Sequence, residues 1–362
     1  RLLDAVLELD GPVDERLARL EAAIARTDEP AGRADLLRRH TDALRVAGRW
    51  DEARAAATAA IAASPPGELR ARALVAASFV DGPGEATARA REALAGRVRP
   101  ATEVLAWLSI ARDARRRGER AEAEPAARRA LERVRTAHLP RLEGAALSNL
   151  ANLRRQDGHP DDAERLYLRA REGFARLGQA RAEAATLHNL AALRLDRGDV
   201  ERALALAEDA LRVARRGGEI PVVAQIQHTL GHLWHRRGDH DEAEAAYLEA
   251  IGLLRDIDPS AAGAVLGDLG ALLADRDLVD AAAATLDEAD ATIAGPGRAV
   301  LGIHRAHLVL ARARASSDPA DRAAGLARAV AAIDAACAEG GDRCTMAAQL
   351  ARSVAAAVGE GR

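Results

Sequence analysis

A fixed period of about 40 residues runs through the middle of this chain and limits what it can fold into. Ile110-Ala111, Leu150-Ala151, Leu190-Ala191, Leu230-Gly231 and Leu269-Gly270 stand 40, 40, 40 and 39 residues apart. Eight residues after the first four of these come Gly118, Gly158, Gly198 and Gly238. Thirteen residues on stand Ala123, Ala163, Ala203, Ala243 and Ala282, and twenty on Ala130, Ala170, Ala210, Ala250 and Ala289. Such a repeat is one supersecondary unit that buries its apolar face only by stacking on its neighbours, so the chain is read as a solenoid.

Residues 144–183 show the physics of one unit. Ala146, Leu147, Leu150, Ala151 and Leu153 fall on one face at helical spacing. Asp157-Gly158-His159-Pro160 stops that helix: glycine accepts the left-handed cap conformation and proline opens the next helix. Asp161 and Asp162 place negative charge at the second helix's amino end, where the dipole favours it. Ala163, Leu166, Tyr167, Ala170 and Phe174 form the second stripe. Ala151 and Ala163 are expected to face each other, because larger side chains there would force the helices apart.

The run Leu230-Gly231, Gly238, Ala243, Tyr247 and Ala250 resembles the tetratricopeptide repeat, with its bulky residue, leucine-glycine, turn glycine, alanine, aromatic and alanine. Gln227 departs from the pattern where a bulky apolar residue is usual, and Trp107 fills that slot in an earlier repeat. The 40-residue period exceeds the family's usual 34 and looks more like the Pins/LGN and kinesin light chain branches. The resemblance spans nearly the whole chain. It implies an all-α, right-handed α-solenoid (superhelix) of about eight helix pairs over residues 1–338, with a C-terminal capping helix over 343–358.

Composition agrees. Hydrophobic residues make up 49% of the 362, but aromatics only 2%, so alanine, the best helix former, carries much of the packing. All 52 basic residues are arginine, the usage of a GC-rich bacterial genome, and the net charge of −3 lacks the basic excess of a nucleic-acid binder. No stretch reaches the 18 or more apolar residues of a membrane span, and no leader pattern opens the chain. Two cysteines, Cys337 and Cys344, make no disulfide framework and point to a reduced, cytoplasmic chain. Gly340-Gly341 would still allow a local bridge between them. The start at Arg1, already in helical rhythm, reads as a fragment of a longer polypeptide.

The Pro/Gly breaks all fall at repeat turns, which predicts one continuous array without a polar linker. Residues 32–64 form a repeat near the standard length, and 68–98 a shortened one around Asp81-Gly82-Pro83-Gly84. The fifth long repeat has a weaker turn, Asp275-Arg276-Asp277, and an irregular repeat turns at Ser316-Ser317-Asp318-Pro319.

In the family that the chain resembles, the first helix of each pair lines a concave groove. Carried onto this sequence, that implies a wall of Arg112 and Arg116, then Asn149, Asn152 and Gln156, then His188, Asn189 and Asp196, then His228, His232 and His235. Asn149 and Asn189 match the asparagine that related families use to clamp a peptide backbone, since an amide donates and accepts at once. Arg115-Arg116-Arg117 reads as a solvated helix end, with an acidic or phosphorylated partner segment as the alternative. His228, His232 and His235 share one helix face, a spacing that can chelate, yet no carboxylate or cysteine stands at the obvious fourth position. The trio is therefore read as a polar or pH-sensitive groove wall, with no metal and no cofactor.

No catalytic signature is present: there is no GxSxG, no GxxxxGK[ST] and no GxGxxG after a strand. The expectation is a non-enzymatic module that binds a protein or peptide in its groove, without nucleic-acid or membrane partners. The alternative is the sensor or scaffold segment of a larger bacterial signalling protein, beside a kinase, a STAND-type ATPase or a transcription regulator.

Overall fold

Each expected turn glycine stands where the chain reverses between the two helices of a pair. Gly118, Gly158, Gly198 and Gly238 have φ of 75°, 74°, 77° and 93°. An L side chain is strained there and glycine is not. In the fifth repeat Asp277 takes the same role at φ 59°, which explains why that turn looked weaker in the sequence.

The structure, a computed structural model, describes residues 13–217, 220–293, 297–339 and Val354. Among them are 17 helices and no strand. They are α1 (Val13–Ala25), α2 (Pro30–Val46), α3 (Trp50–Ala63), α4 (Glu68–Ser78), α5 (Glu85–Leu94), α6 (Pro100–Arg116), α7 (Arg120–Thr136), α8 (Pro140–Gln156) and α9 (Pro160–Arg176). Then come α10 (Ala180–Asp196), α11 (Val200–Gly217), α12 (Ile220–Arg237), α13 (His240–Leu254), α14 (Pro259–Asp275), α15 (Val279–Thr292), α16 (Gly297–Ala315) and α17 (Pro319–Glu339). The fold is all-α, as the period requires. The expected capping helix over 343–358, apart from Val354, lies outside the described residues, as do residues 1–10 and Cys344 with its suggested bridge to Cys337.

The chain divides into two compact units, Arg1–Val223 and Ala224–Arg362. In the first, α2 pairs with α3, α4 with α5, α6 with α7, α8 with α9 and α10 with α11, and the first helices of successive pairs also touch. In the second, α14 packs on both α13 and α15, and α16 on α17. Val354 joins Ile303, Ala306, Leu310 and Ala329 in a small core there.

Small residues sit where helices cross. Ala151 and Ala163 are wholly buried in one cluster with Tyr167, Leu190 and Leu193. In the second unit glycine takes the place of Ala151: a Cβ on Gly231 would meet Tyr247 Cε1 at 2.4 Å, and one on Gly270 would meet Leu286 at 2.6 Å. Gln227, which breaks the apolar pattern, is buried with its amide donating to Glu249.

The arginine-only basic set has a structural use. Arg154 of α8 reaches Glu124 of α7 at 2.7 Å, Arg194 of α10 pairs with Glu164 of α9, and Arg276, just after α14, reaches Glu244 of α13 at 2.5 Å. Each ties the second helix of one pair to the first helix of the next. The guanidinium fork suits such bridges better than an ammonium does.

Candidate functional site

Each unit holds a place where polar side chains of several helices converge. In the first unit, α2, α4 and α6 are the leading helices of three successive pairs. Together they line a cavity of about 710 Å³ that includes Arg38, Asp42, Arg45, Arg72, Phe79 and Arg112. Phe79, at the end of α4, organises it: the guanidinium carbons of Arg112 and Arg45 lie 4.5 and 5.9 Å from its ring centre. Arg112 Nη2 also donates to the Ser78 carbonyl at 2.9 Å.

The four guanidiniums are not equivalent. Arg38 is held by Asp35 at 3.2 Å and Asp42 at 3.0 Å, and Arg72 by Asp35 at 3.0 Å. Burial opposes the ionisation of Asp35, but Arg38, Arg39 and Arg72 outweigh it and hold the carboxyl below its usual range. Arg45 and Arg112 have no carboxylate at ion-pair distance among the described residues, and each keeps a buried Nε without a hydrogen-bond partner. Burial, reinforced by Arg45 and Arg116, brings the Arg112 guanidinium down to about 10. The cavity thus carries positive charge that its own walls leave unbalanced.

The remaining expected residues of this unit are spread along α6 and the later first helices. Arg116 is exposed at the end of α6, and Gln156 at the end of α8. Asn149 and Asn189 occupy the same position in α8 and α10, and both are half-buried. Asn149 Nδ2 donates to Ala145 O of its own helix at 3.0 Å, which leaves its oxygen to solvent or a partner. Asn152 instead faces the fold: its Oδ1 accepts from the Tyr167 hydroxyl at 2.6 Å. Burial pushes that phenol up to about 12, against the pull of Arg155 and Arg115. His188 is half-buried, and the exposed Asp196 pairs with Arg155 at 3.1 Å.

In the second unit the structure corrects the reading of the histidine trio. A carboxylate does stand beside it. Asp268 of α14 is buried, and its Oδ2 lies 2.6 Å from His228 Nε2 and 3.2 Å from His232 Nε2. His304 Nε2, from α16, lies 3.6 Å from the other oxygen. Burial alone would raise the Asp268 carboxyl, but the neighbouring His232 and His304 and the hydrogen bonds from His228 and His232 hold it well below its ordinary range. His235 goes elsewhere: its Nε2 donates to Asp275 Oδ2 at 3.1 Å, while His307 Nδ1 meets Asp275 Oδ1 at 3.0 Å. His232 Nδ1 is met by the hydroxyl of wholly buried Tyr247 at 3.3 Å. Atoms of His228, His232 and Asp268 all fall within 4.8 Å of one another.

Sequence reasoning missed Asp268, Asp275, His304, His307, Arg45, Arg72 and Phe79. A signal for two of them was present: Asp268 and Asp275 each follow their histidine partner by 40 residues, one period. Arg45, Arg72 and Phe79 lie in the shorter repeats, where the 40-residue frame gives no alignment.

Helix pairs with glycine turns, alanine crossings and polar side chains on their leading helices define a helical-repeat protein of the interaction class. The tetratricopeptide repeat profile matches residues 142–216 and 182–256, so this stretch of the chain carries tetratricopeptide repeats. No curated protein matches it. Among solved structures it is similar to a Rap protein complexed with competence and sporulation factor (14% identity, 91% of this chain and 98% of that one, TM-score 0.57). It is also similar to the Cut9–Hcn1 hetero-tetramer of APC/C (16% identity, 93% and 59%, TM-score 0.64). A third is a STAND protein, a signal-transduction ATPase with numerous domains, with a tetratricopeptide repeat sensor from Pyrococcus horikoshii (13% identity, 83% and 50%, TM-score 0.58). At these identities the likeness is one of fold. No helix among the described residues is long and apolar enough to cross a membrane.

Proposed function

We propose that this protein binds a protein partner through an extended acidic segment laid along the leading helices of its first unit. One observation carries the reading: Arg45 and Arg112, both stacked on Phe79, face a cavity built by three leading helices, and no carboxylate of the described chain pairs with them. A carboxylate arriving there gains charge-assisted hydrogen bonds with donors that are already oriented and partly desolvated. Farther along the row, Asn149 and Asn189 offer amides one repeat apart for the segment's backbone. The Rap protein structure, with its bound competence and sporulation factor, supports the use of such a fold as a receptor.

The test is the binding of a fluorescently labelled peptide rich in glutamate and aspartate, followed by anisotropy. Binding should weaken about tenfold or more in Arg45→Gln/Arg112→Gln and fall as salt is raised. An unchanged affinity in a double variant that melts like the parent would refute the acidic-segment reading. The same experiment with Asn149→Ala/Asn189→Ala tests the backbone clamp separately.

A further inference from the structure

We propose that His228, His232 and Asp268 form a binding site for a first-row divalent transition-metal ion of the zinc type. This site lies in the second unit and is independent of the acidic-segment reading.

The geometry of the two aspartates separates a metal site from a plain hydrogen-bond network. At Asp275 the imidazoles diverge: His235 takes Oδ2 and His307 takes Oδ1, one ring to each oxygen. Their side chains are only 8% and 5% exposed, and the arrangement is complete as it stands. At Asp268 the imidazoles converge. His228 and His232, four residues apart on one face of α12, both direct Nε2 at the same oxygen, Oδ2. Two imidazole nitrogens meet on one oxygen while, among the described residues, its twin has only His304 at 3.6 Å, an uneven use of a carboxylate's four lone-pair sites. It is the arrangement expected of three ligands around a common centre.

The dimensions suit an ion. With metal–nitrogen and metal–oxygen bonds of about 2.0–2.2 Å, neighbouring ligand atoms in a tetrahedral shell lie about 3.3 Å apart. The His232–Asp268 separation of 3.2 Å already meets that, and the 2.6 Å of His228 needs one ring to swing outward. His228 has room to do so, since its side chain is 28% exposed. On binding, each Nε2 would give up its proton and present a lone pair. Two neutral imidazoles and one carboxylate would then leave a bound divalent ion with one net positive charge. Imidazole with carboxylate selects zinc, cobalt or nickel over magnesium and calcium, which prefer all-oxygen shells.

The surroundings also fit. The Tyr247 hydroxyl at His232 Nδ1 fixes that ring from behind, as outer-sphere partners of ligating histidines do. Gly231, beside His232, admits the tyrosine ring that makes this contact. Asp268 forms the floor at 9% side-chain exposure, and His228 and His232 form an open rim. Three protein ligands with one open side describe a site that can exchange its ion or accept a further ligand.

The experiment uses the full chain without a histidine tag, stripped with chelator and titrated with Zn²⁺ by calorimetry and with Co²⁺ by visible absorption. One ion per chain should bind at about micromolar Kd or tighter, and Co²⁺ should give ligand-field bands of a nitrogen/oxygen site. His232→Gln and His228→Gln should each weaken binding at least tenfold, Tyr247→Phe about tenfold, and His235→Gln should leave it unchanged. Circular dichroism on each variant shows whether it is folded. Absence of saturable Zn²⁺ or Co²⁺ binding by the folded wild-type chain, or binding that persists in His228→Gln/His232→Gln, would overturn the assignment.

Discussion

Tyr167 in the first unit and Tyr247 in the second stand at the same place in the repeat, two periods apart, yet they serve different chemistry. Both rings are wholly buried, and both hydroxyls reach back 15 residues to the preceding helix. Tyr167 meets Asn152, whose amide has one charge state. Tyr247 meets His232, which in turn meets a buried carboxylate. The buried carboxylates follow suit. Asp113 is wholly buried in the first unit and accepts from the Thr87 hydroxyl at 2.6 Å and the Gly84 N–H at 3.0 Å, with Arg117 at 3.3 Å. Asp268 relies on imidazoles. One scaffold position thus yields a purely structural bond in one unit and a ligand-like cluster in the other. The repeat fixes where a side chain goes and leaves its chemistry open.

The largest expected effect tests whether the two tyrosines share a packing role. Tyr167→Ala and Tyr247→Ala should each destabilise by about 3–5 kcal/mol in urea unfolding, because each leaves a cavity at a helix crossing. A cost below about 1 kcal/mol at either would show that the crossing closes without its ring.

Next comes the buried carboxylate of the first unit. Burial opposes the ionisation of Asp113, but the Thr87 hydroxyl, the Gly84 N–H and Arg117 prevail and hold its carboxyl below the ordinary value. A depressed carboxyl adds stability above the unfolded-state pKa, near 4, and that contribution is lost as pH falls through the folded value. Asp113→Asn should therefore cost about 1.5–3 kcal/mol at pH 7, and the gap to wild type should close below about pH 4. A gap constant from pH 7 to pH 3 would mean that the charge contributes nothing.

Gly231→Ala sharpens the comparison at slightly lower cost. Its Cβ would collide with Tyr247, whereas the first unit carries Ala151 at the same repeat position. We expect a loss of about 1–3 kcal/mol from Gly231→Ala. A neutral or stabilising result would show that Tyr247 shifts freely, and would weaken its role as a fixed support for His232.

The smallest effect is expected from Asn149→Ala/Asn189→Ala, within about 0.5 kcal/mol of wild type in thermal unfolding. Asn149 bonds only within its own helix, so its removal exposes no buried donor. A marked loss would assign these amides to the fold and remove them from the proposed peptide clamp.

Much of this molecule was legible in one dimension. The turn glycines, the helix-opening prolines and the alanine crossings follow from local rules of backbone freedom and steric size, and Gly118, Gly158, Gly198 and Gly238 stand where those rules put them. Arg112 was expected on a groove wall from the family resemblance alone, and it lines the cavity beside Phe79. What the tertiary structure decided is which side chains meet. Asp268 comes beneath His228 and His232 because α14 packs one repeat later in register, so residues 40 apart in sequence share one point in space. Arg45 and Arg112 both come to the Phe79 ring because α2, α4 and α6 lie in one row. Helix propensity and periodicity act over a few turns, and they set the angle at which each side chain leaves its helix. The stagger between stacked pairs, on which contacts of a few ångströms depend, is set by side-chain packing across the whole stack.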